Sequence, residues 1–220
     1  MLPLLTAGPF SARDAEGRGL FDEVSIELAE GELALLDGPS GSGKSTLLRQ
    51  LVGMVATTGV VRELAGEAFS PLDLPRWRSR VTLVAQDAPM LQGSVGENLE
   101  FPFLQGCGSD RTEDRERRRT LLEKVGLGTI PEGRDIGTLS GGERHRLALV
   151  RGLMWNPPVL IADEPLSGLD EDVAEACFQL LLDFAHRSGH GVLCVLHDRS
   201  IGARADRILG LGSNMIEGPS

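Results

Sequence analysis

Gly38-Pro39-Ser40-Gly41-Ser42-Gly43-Lys44-Ser45-Thr46 stands between the apolar run Leu33-Ala34-Leu35-Leu36 and the segment Leu47-Leu48-Arg49-Gln50-Leu51-Val52. The run on its N-terminal side predicts a strand buried on both faces, as at the centre of a parallel sheet. The segment on its other side predicts a helix reaching about Val52, where Gly53 stops it. Between them the glycines let successive backbone N–H groups point inward, and the positive pole of the helix faces the same spot. Such a cup binds phosphate. Lys44 adds a point charge on the β- and γ-phosphates of a nucleotide, and the Ser45 hydroxyl is placed to ligate Mg2+. A Gly/Ser-rich linker with a stray lysine would lack this strand-to-helix setting.

The chain around this loop has 220 residues, 25% of them charged and 41% apolar, with a formal net charge of −10. That length fits one domain, or one domain with an insertion. The acidic balance argues against a general nucleic-acid binder. Cys107, Cys177 and Cys194 form no CxxC pair, so neither a disulfide framework nor a zinc site is predicted, and a reducing compartment is the simpler expectation. No run approaches the roughly 20 apolar residues of a membrane helix. The opening residues lack the basic region of a signal peptide. A cytoplasmic protein is expected, reaching a membrane only through a partner.

Along the chain, Leu4-Leu5 predicts a strand ending in a turn at Gly8-Pro9-Phe10, and Val24 to Leu28 alternates as a half-exposed strand. From Val60 to Leu74 the signal is poor, and Pro71 and Pro75 break any long element. Val81 to Ala85 reads as a strand ending at Gln86. From Asp87 to Leu139 the texture changes, and the charged run Asp110 to Arg119 predicts a solvated helix face with Leu121, Leu122 and Val125 on its buried side. Beyond Gly141 come a helix closed by Asn156-Pro157-Pro158, the strand Val159 to Ala162, a helix from about Asp172, the strand Gly191 to Leu196, and a last edge strand at Ile208 to Leu211. Cys177 falls on the apolar stripe of its helix and reads as core. Strands alternating with helices imply an α/β fold with a parallel sheet, its ligands at the strands' C-terminal ends.

Phosphoryl transfer also needs a metal site, a group that deprotonates or orients water, and something to steady charge on the γ-phosphate. Val159-Leu160-Ile161-Ala162-Asp163-Glu164 is an apolar strand ending in two carboxylates. Asp163 is suited to hold Mg2+, and Glu164, pointing elsewhere, to accept a proton from water. By itself such an acidic strand end is a common turn. Leu139-Ser140-Gly141-Gly142-Glu143 opens a helix with Ser140 as N-cap and Glu143 closing a capping box. Its exposed N–H groups could also meet a second phosphate surface.

Taken in order, GPSGSGKST, Gln86 at a strand end, LSGGE at Leu139 to Glu143, LIADEP at Leu160 to Pro165, SGLD at Ser167 to Asp170 and His197 at another strand end resemble an ATP-binding-cassette (ABC) ATPase over about residues 20 to 200. The resemblance implies a phosphate-loop NTPase core with a mostly parallel sheet, an N-terminal antiparallel β subdomain and an inserted α-helical subdomain. As one domain over 1–220, the core with its β subdomain would take residues 1–86 and 141–220, and the helical insertion 87–140. It implies that residues Gly38 to Thr46 bind ATP, with Ser45, Gln86 and Asp163 at Mg2+, Glu164 as general base, His197 on the γ-phosphate and Gln86 touching metal and water. Asp170 would lie between subunits. Ser140, Gly141 and Gly142 of one copy would cap the nucleotide held by Lys44 of another, which requires a homodimer or a pseudo-dimer.

Two features depart from the family. Its members stack adenine on an aromatic upstream of the phosphate loop, commonly a tyrosine; this chain has none, and Phe10 is the candidate, followed by a lengthened loop from Ser11 to Gly19. Where relatives carry glutamines after LSGGE, Arg144-His145-Arg146 follows. The resemblance points to the ATP-binding subunit of a transporter whose membrane permease is a separate chain. The subunit would lie on the inner face of the cell membrane, with Met90, Leu91 and Phe103 bordering the groove for the permease. The segment after Gln86 also resembles ATP-binding subunits of bacterial iron exporters. The alternative is a non-transport cassette of the iron–sulfur-assembly, cell-division or lipoprotein-release type.

Overall fold

The computed structural model describes residues 3–87, 89–104 and 112–211. Cys107, Asp110 and Arg111, discussed above, lie outside them. The chain begins with β1 (Leu5–Arg13) and β2 (Gly19–Leu28), then β3 (Leu33–Asp37) and α1 (Lys44–Leu51). β4 (Val61–Leu64), β5 (Glu67–Phe69), α2 (Leu74–Arg80) and β6 (Val81–Val84) follow. Two helices, α3 (Val95–Leu104) and α4 (Arg115–Lys124), precede α5 (Gly141–Trp155). The alternating part closes with β7 (Val159–Asp163), α6 (Glu171–Ala185), β8 (Gly191–Val195), α7 (Arg199–Gly202) and β9 (Arg207–Gly210).

Two sheets result. β6-β7-β8-β3-β9 is parallel throughout its given pairings, and β2-β1-β4-β5 is antiparallel. The apolar strands of the parallel sheet are explained by the two cores they divide. Successive residues of a strand point to opposite faces. Leu33 and Leu35, Leu160 and Ala162, and Val192 and Cys194 enter one core with α5 and α6; Ala34 and Leu36, Val159 and Ile161, and Leu193 and Val195 enter the other with α1 and the antiparallel sheet. A strand packed on both sides has no wet face to mark with polar residues.

Two local expectations need correction. β1 runs through Gly8-Pro9-Phe10 to Arg13, and the turn lies instead at Asp14 to Arg18, where Asp14 Oδ1 accepts from the backbone of Glu16 and Arg18. Register irregularities near Phe10 let the strand pass that segment without breaking its pairing with β2. The stretch with poor signal holds β4 and β5, while no long element forms there: Pro75 sits in the first turn of the seven-residue α2, where its missing N–H would have no partner anyway. In the charged run, Arg118 is buried, with Nη1 2.7 Å from Glu113 and Nη2 3.0 Å from Glu132, while Leu121, Leu122 and Val125 are buried beside it. The seam it fills lies between α3, α4 and the loop at Glu132. Cys177 is core as expected, and burial pushes its thiol up to about 11.

Candidate functional site

Parallel strands bring their C-terminal ends to one edge of the sheet. The phosphate loop leaves β3 there, Gln86 follows β6 by two residues, Glu164 follows β7 directly, and His197 follows β8 by two. Residues far apart in sequence thus share one rim because their strands are neighbours.

The loop is held from within. Asp37 Oδ1 accepts from the N–H of Gly38 at 2.8 Å, a fixing bond that the glycine-lysine motif passes over. An aspartate between an apolar strand and a glycine is the signal that could have revealed it. Gly43 takes a left-handed conformation, φ 93°, at the helix N-cap, and a Cβ there would stand 2.9 Å from the Phe21 ring. Lys44 Nζ donates to the carbonyls of Gly38 (2.7 Å) and Pro39 (3.0 Å), so its charge lies across the loop rather than out in solvent. Ser42 Oγ is buried without a hydrogen-bond partner among the described residues. A cradle of N–H groups, an ammonium and an unsatisfied hydroxyl fits a polyphosphate.

Asp163 ends β7 and is 2% exposed. Burial raises its pKa above the ordinary carboxylate value, opposed by a hydrogen bond from Ser45, with the charge of Glu164 raising it further. Its Oδ1 is buried without a hydrogen-bond partner among the described residues. A buried, underused carboxylate oxygen next to a serine hydroxyl is a donor set that suits Mg2+.

Glu164 turns away from Asp163 because its backbone is left-handed, φ 52°, with its N–H on the carbonyl of Val195 at 3.1 Å. Gln86 Nε2 donates to Glu164 Oε2 at 2.8 Å, and His197 Nε2 lies 2.7 Å from Glu164 Oε1. The structure therefore gathers Gln86, Glu164 and His197 into one constellation. A carboxylate held at both oxygens and adjoining a phosphate cradle can orient and deprotonate water.

Ser140, Gly141 and Gly142 stand at the start of α5. The capping box forms, with Ser140 Oγ accepting from Glu143 N (3.2 Å) and Glu143 Oε2 from Ser140 N (2.7 Å). Gly142 lies nearest to Gly168 and Leu169 in the loop after Glu164. His145 Nδ1 lies 3.5 Å from the carbonyl of Ser167, and Asp170 N-caps α6 through Val173 N–H. Phe10 does not serve as assigned above. It is 1% exposed in the core, with the Arg62 guanidinium 5.9 Å from its ring centroid, and has no face left for a base.

A groove of about 390 Å³ opens where α2 and β6 meet α5, lined by Met54, Pro75, Arg78, Pro102, Arg151 and Trp155 among others. Met90 and Phe103 are half-buried beside its lining, Met90 with its sulfur 3.8 Å from Arg151 Nη1 and Phe103 with its ring 5.7 Å from that of Trp155, and both also pack against the core. Leu91 is 41% exposed.

Comparison with known proteins gives the family. The family described as ABC transporter matches residues 21–167. The chain belongs to that family. This ABC chain is 35% identical over 207 residues to the macrolide export ATP-binding/permease protein MacB of Rhodospirillum rubrum, covering 92% of itself and 31% of that protein. It is 38% identical over 203 residues to the lipoprotein-releasing system ATP-binding protein LolD of Bordetella avium, covering 90% of itself and 87% of that protein. It thus spans about a third of the first relative and most of the second. A bacterial Atm1-family ABC exporter solved with ATP bound superposes with a TM-score of 0.83 at 24% identity over 99% of this chain and 39% of that one, a likeness of fold. Among the described residues no helix is long and apolar enough to cross a membrane.

Proposed function

We propose that this ABC chain is an ATP-binding and ATP-hydrolysing subunit that powers a membrane transporter, coupled to a separate permease chain and lying on the cytoplasmic face of the membrane. The observation that carries the reading is the convergence of Gln86 and His197 on Glu164, next to Asp163 and the loop that ends in Lys44. Gly38 to Thr46 hold the phosphates. Mg2+, held by Ser45 and Asp163 near Gln86, would neutralise charge that develops on the phosphoryl oxygens. Glu164 takes the proton of the attacking water, while Gln86 and His197 fix the direction of its carboxylate. His197 then steadies charge at the γ-phosphate.

Two copies would work head to tail, Ser140, Gly141 and Gly142 of one closing over the nucleotide on Lys44 of the other. The open N–H groups at the start of α5 and the dipole of that helix support the reading. In domain terms, residues 1–86 and 141–220 form the core with its β subdomain and 87–140 the helical insertion, in one unit over 1–220. The groove at Met54 and Trp155 suits an apolar helix of the permease. The likeness to LolD over most of that protein's length favours a second reading, in which closure moves a protein partner of the lipoprotein-release type.

The test is Mg2+-dependent ATP turnover by the purified chain with Glu164→Gln as control, joined to co-purification from detergent-solubilised membranes. Turnover that ignores the substitution would overturn the catalytic reading. A permease that co-purifies supports transport, and a partner without membrane spans supports the second reading.

A further inference from the structure

Arg62, on β4, is 4% exposed and has no carboxylate within ion-pair distance among the described residues. A buried cation without a counter-charge is costly unless other groups satisfy it. Here the end of a helix does so. Arg62 Nη2 donates to the carbonyl of Gln50 (2.8 Å) and to Thr57 Oγ1 (3.2 Å), and Nε reaches the carbonyl of Leu51 at 3.4 Å. Gln50 and Leu51 are the last two residues of α1, and the Gln50 carbonyl also accepts from the Gly53 N–H at 3.0 Å, just past the helix. Trp77 Nε1 also donates to the Leu51 carbonyl, at 2.9 Å, and Gln50 Nε2 donates to the carbonyl of Ser11 at 3.0 Å. The Phe10 ring backs the guanidinium.

The helix so anchored is short. Its eight residues span about 12 Å, so the end that Arg62 grips and the end that forms the phosphate cradle belong to one stiff rod. Leu47, Leu48 and Leu51 bury its side, and close packing restrains it without a directional bond along its axis. Hydrogen bonds to its last carbonyls supply that direction. The charge of Arg62 also lies at the negative pole of a helix whose positive pole faces the phosphates.

We propose that Arg62 is a positioning residue for nucleotide binding: by clamping the last carbonyls of α1 it sets where the first N–H groups of that helix, and with them the cradle at Gly43 to Ser45, stand. The inference rests on the cradle reading above. If packing alone were needed, an apolar residue would serve at position 62, and Trp77 would already cap Leu51.

The experiment titrates Mg-ADP and Mg-ATP against the full chain and its Arg62→Met, Arg62→Lys and Trp77→Phe variants, alongside steady-state turnover and thermal melts. Arg62→Met is expected to weaken both nucleotides about tenfold, about 1.4 kcal/mol, with kcat at saturating ATP within twofold of the native value. Arg62→Lys is expected to recover part of that loss, since it keeps the charge and one set of donors. Trp77→Phe is expected to lower the melting temperature with affinity nearly native. Native affinity in Arg62→Met, whatever its melting temperature, would overturn the proposal, as would a lysine variant no better than the methionine one. Should Arg62→Met fail to fold, Arg62→Gln, which keeps amide donors without charge, is expected to show the same loss, and native affinity in it overturns the proposal equally. Lys44→Ala separates the two readings: if that variant binds nucleotide normally, the cradle assignment itself fails, independently of Arg62.

Discussion

His197 Nε2 lies 2.7 Å from Glu164 Oε1, although 33 residues and an entire helix separate the two in sequence. With Gln86 on the other oxygen, the carboxylate is fixed in direction before any water arrives. Glu164→Gln should therefore retain nucleotide and lose turnover by ~10²–10⁴-fold, the usual range for a general base. His197→Ala frees one oxygen only and should fall between that variant and the native chain. Single-turnover ATP hydrolysis measures both, and a histidine variant with native turnover would remove His197 from the site.

Asp163 makes a prediction about pH. Its folded-state pKa is raised, chiefly by burial, so the folded chain holds this proton more tightly than the unfolded chain does. A raised carboxyl pKa gives stability that is fully present below the unfolded value, near 3.8, and lost as pH rises through the folded one. Near neutral pH the ionised side chain is thus a burden on the fold. Asp163→Asn should melt higher than the native chain at pH 7.5 without Mg2+ or nucleotide, and lose the Mg2+-dependent part of ATP affinity. A lower melting temperature at that pH would contradict the assignment.

Gly43 is constrained twice, by its φ of 93° and by the Phe21 ring. Gly43→Ala should weaken nucleotide binding severely. Adding Phe21→Ala removes the clash but leaves the strained backbone, a penalty of about 1–2 kcal/mol. The double variant should therefore regain only part of the affinity, as read by nucleotide titration; full recovery would mean that sterics alone rule the position.

The groove gives a prediction that leaves the chemistry alone. Met54 is 63% exposed on its rim. Met54→Glu should spare the ATPase rate of the isolated chain, since it touches no residue of the catalytic rim, and reduce recovery of the chain with solubilised membranes. Unchanged recovery would mean that the proposed permease, if present, docks elsewhere.

The place of the proposed site was legible in the sequence because each of its parts follows an apolar strand, and strand ends in a parallel sheet converge. Lys44 was legible from the glycine-lysine motif and its strand-to-helix setting, Asp163 and Glu164 only beside that loop, and Gln86 and His197 only through the family resemblance. Phe10 was misplaced for a physical reason: distance along the chain does not reveal which face of β1 a side chain takes, and irregular register near Phe10 defeats simple alternation. Arg118 reads as a solvated charge in the sequence because its partners, Glu113 and Glu132, are distant enough that no helical spacing links all three. Arg62 gave no signal at all, since the groups it serves are backbone carbonyls, which sequence patterning does not register.

One helix has its two ends in different neighbourhoods. α5 starts at the Ser140 cap and finishes at Trp155, whose indole Nε1 is tied to the Ser79 carbonyl at 2.7 Å on the floor of the groove. Its fifteen residues make a strut about 22 Å long. Such a strut links the tryptophan to the glycine pair at its far end, so whatever seats itself in the groove touches the same helix whose other end bears the edge that a second copy would meet.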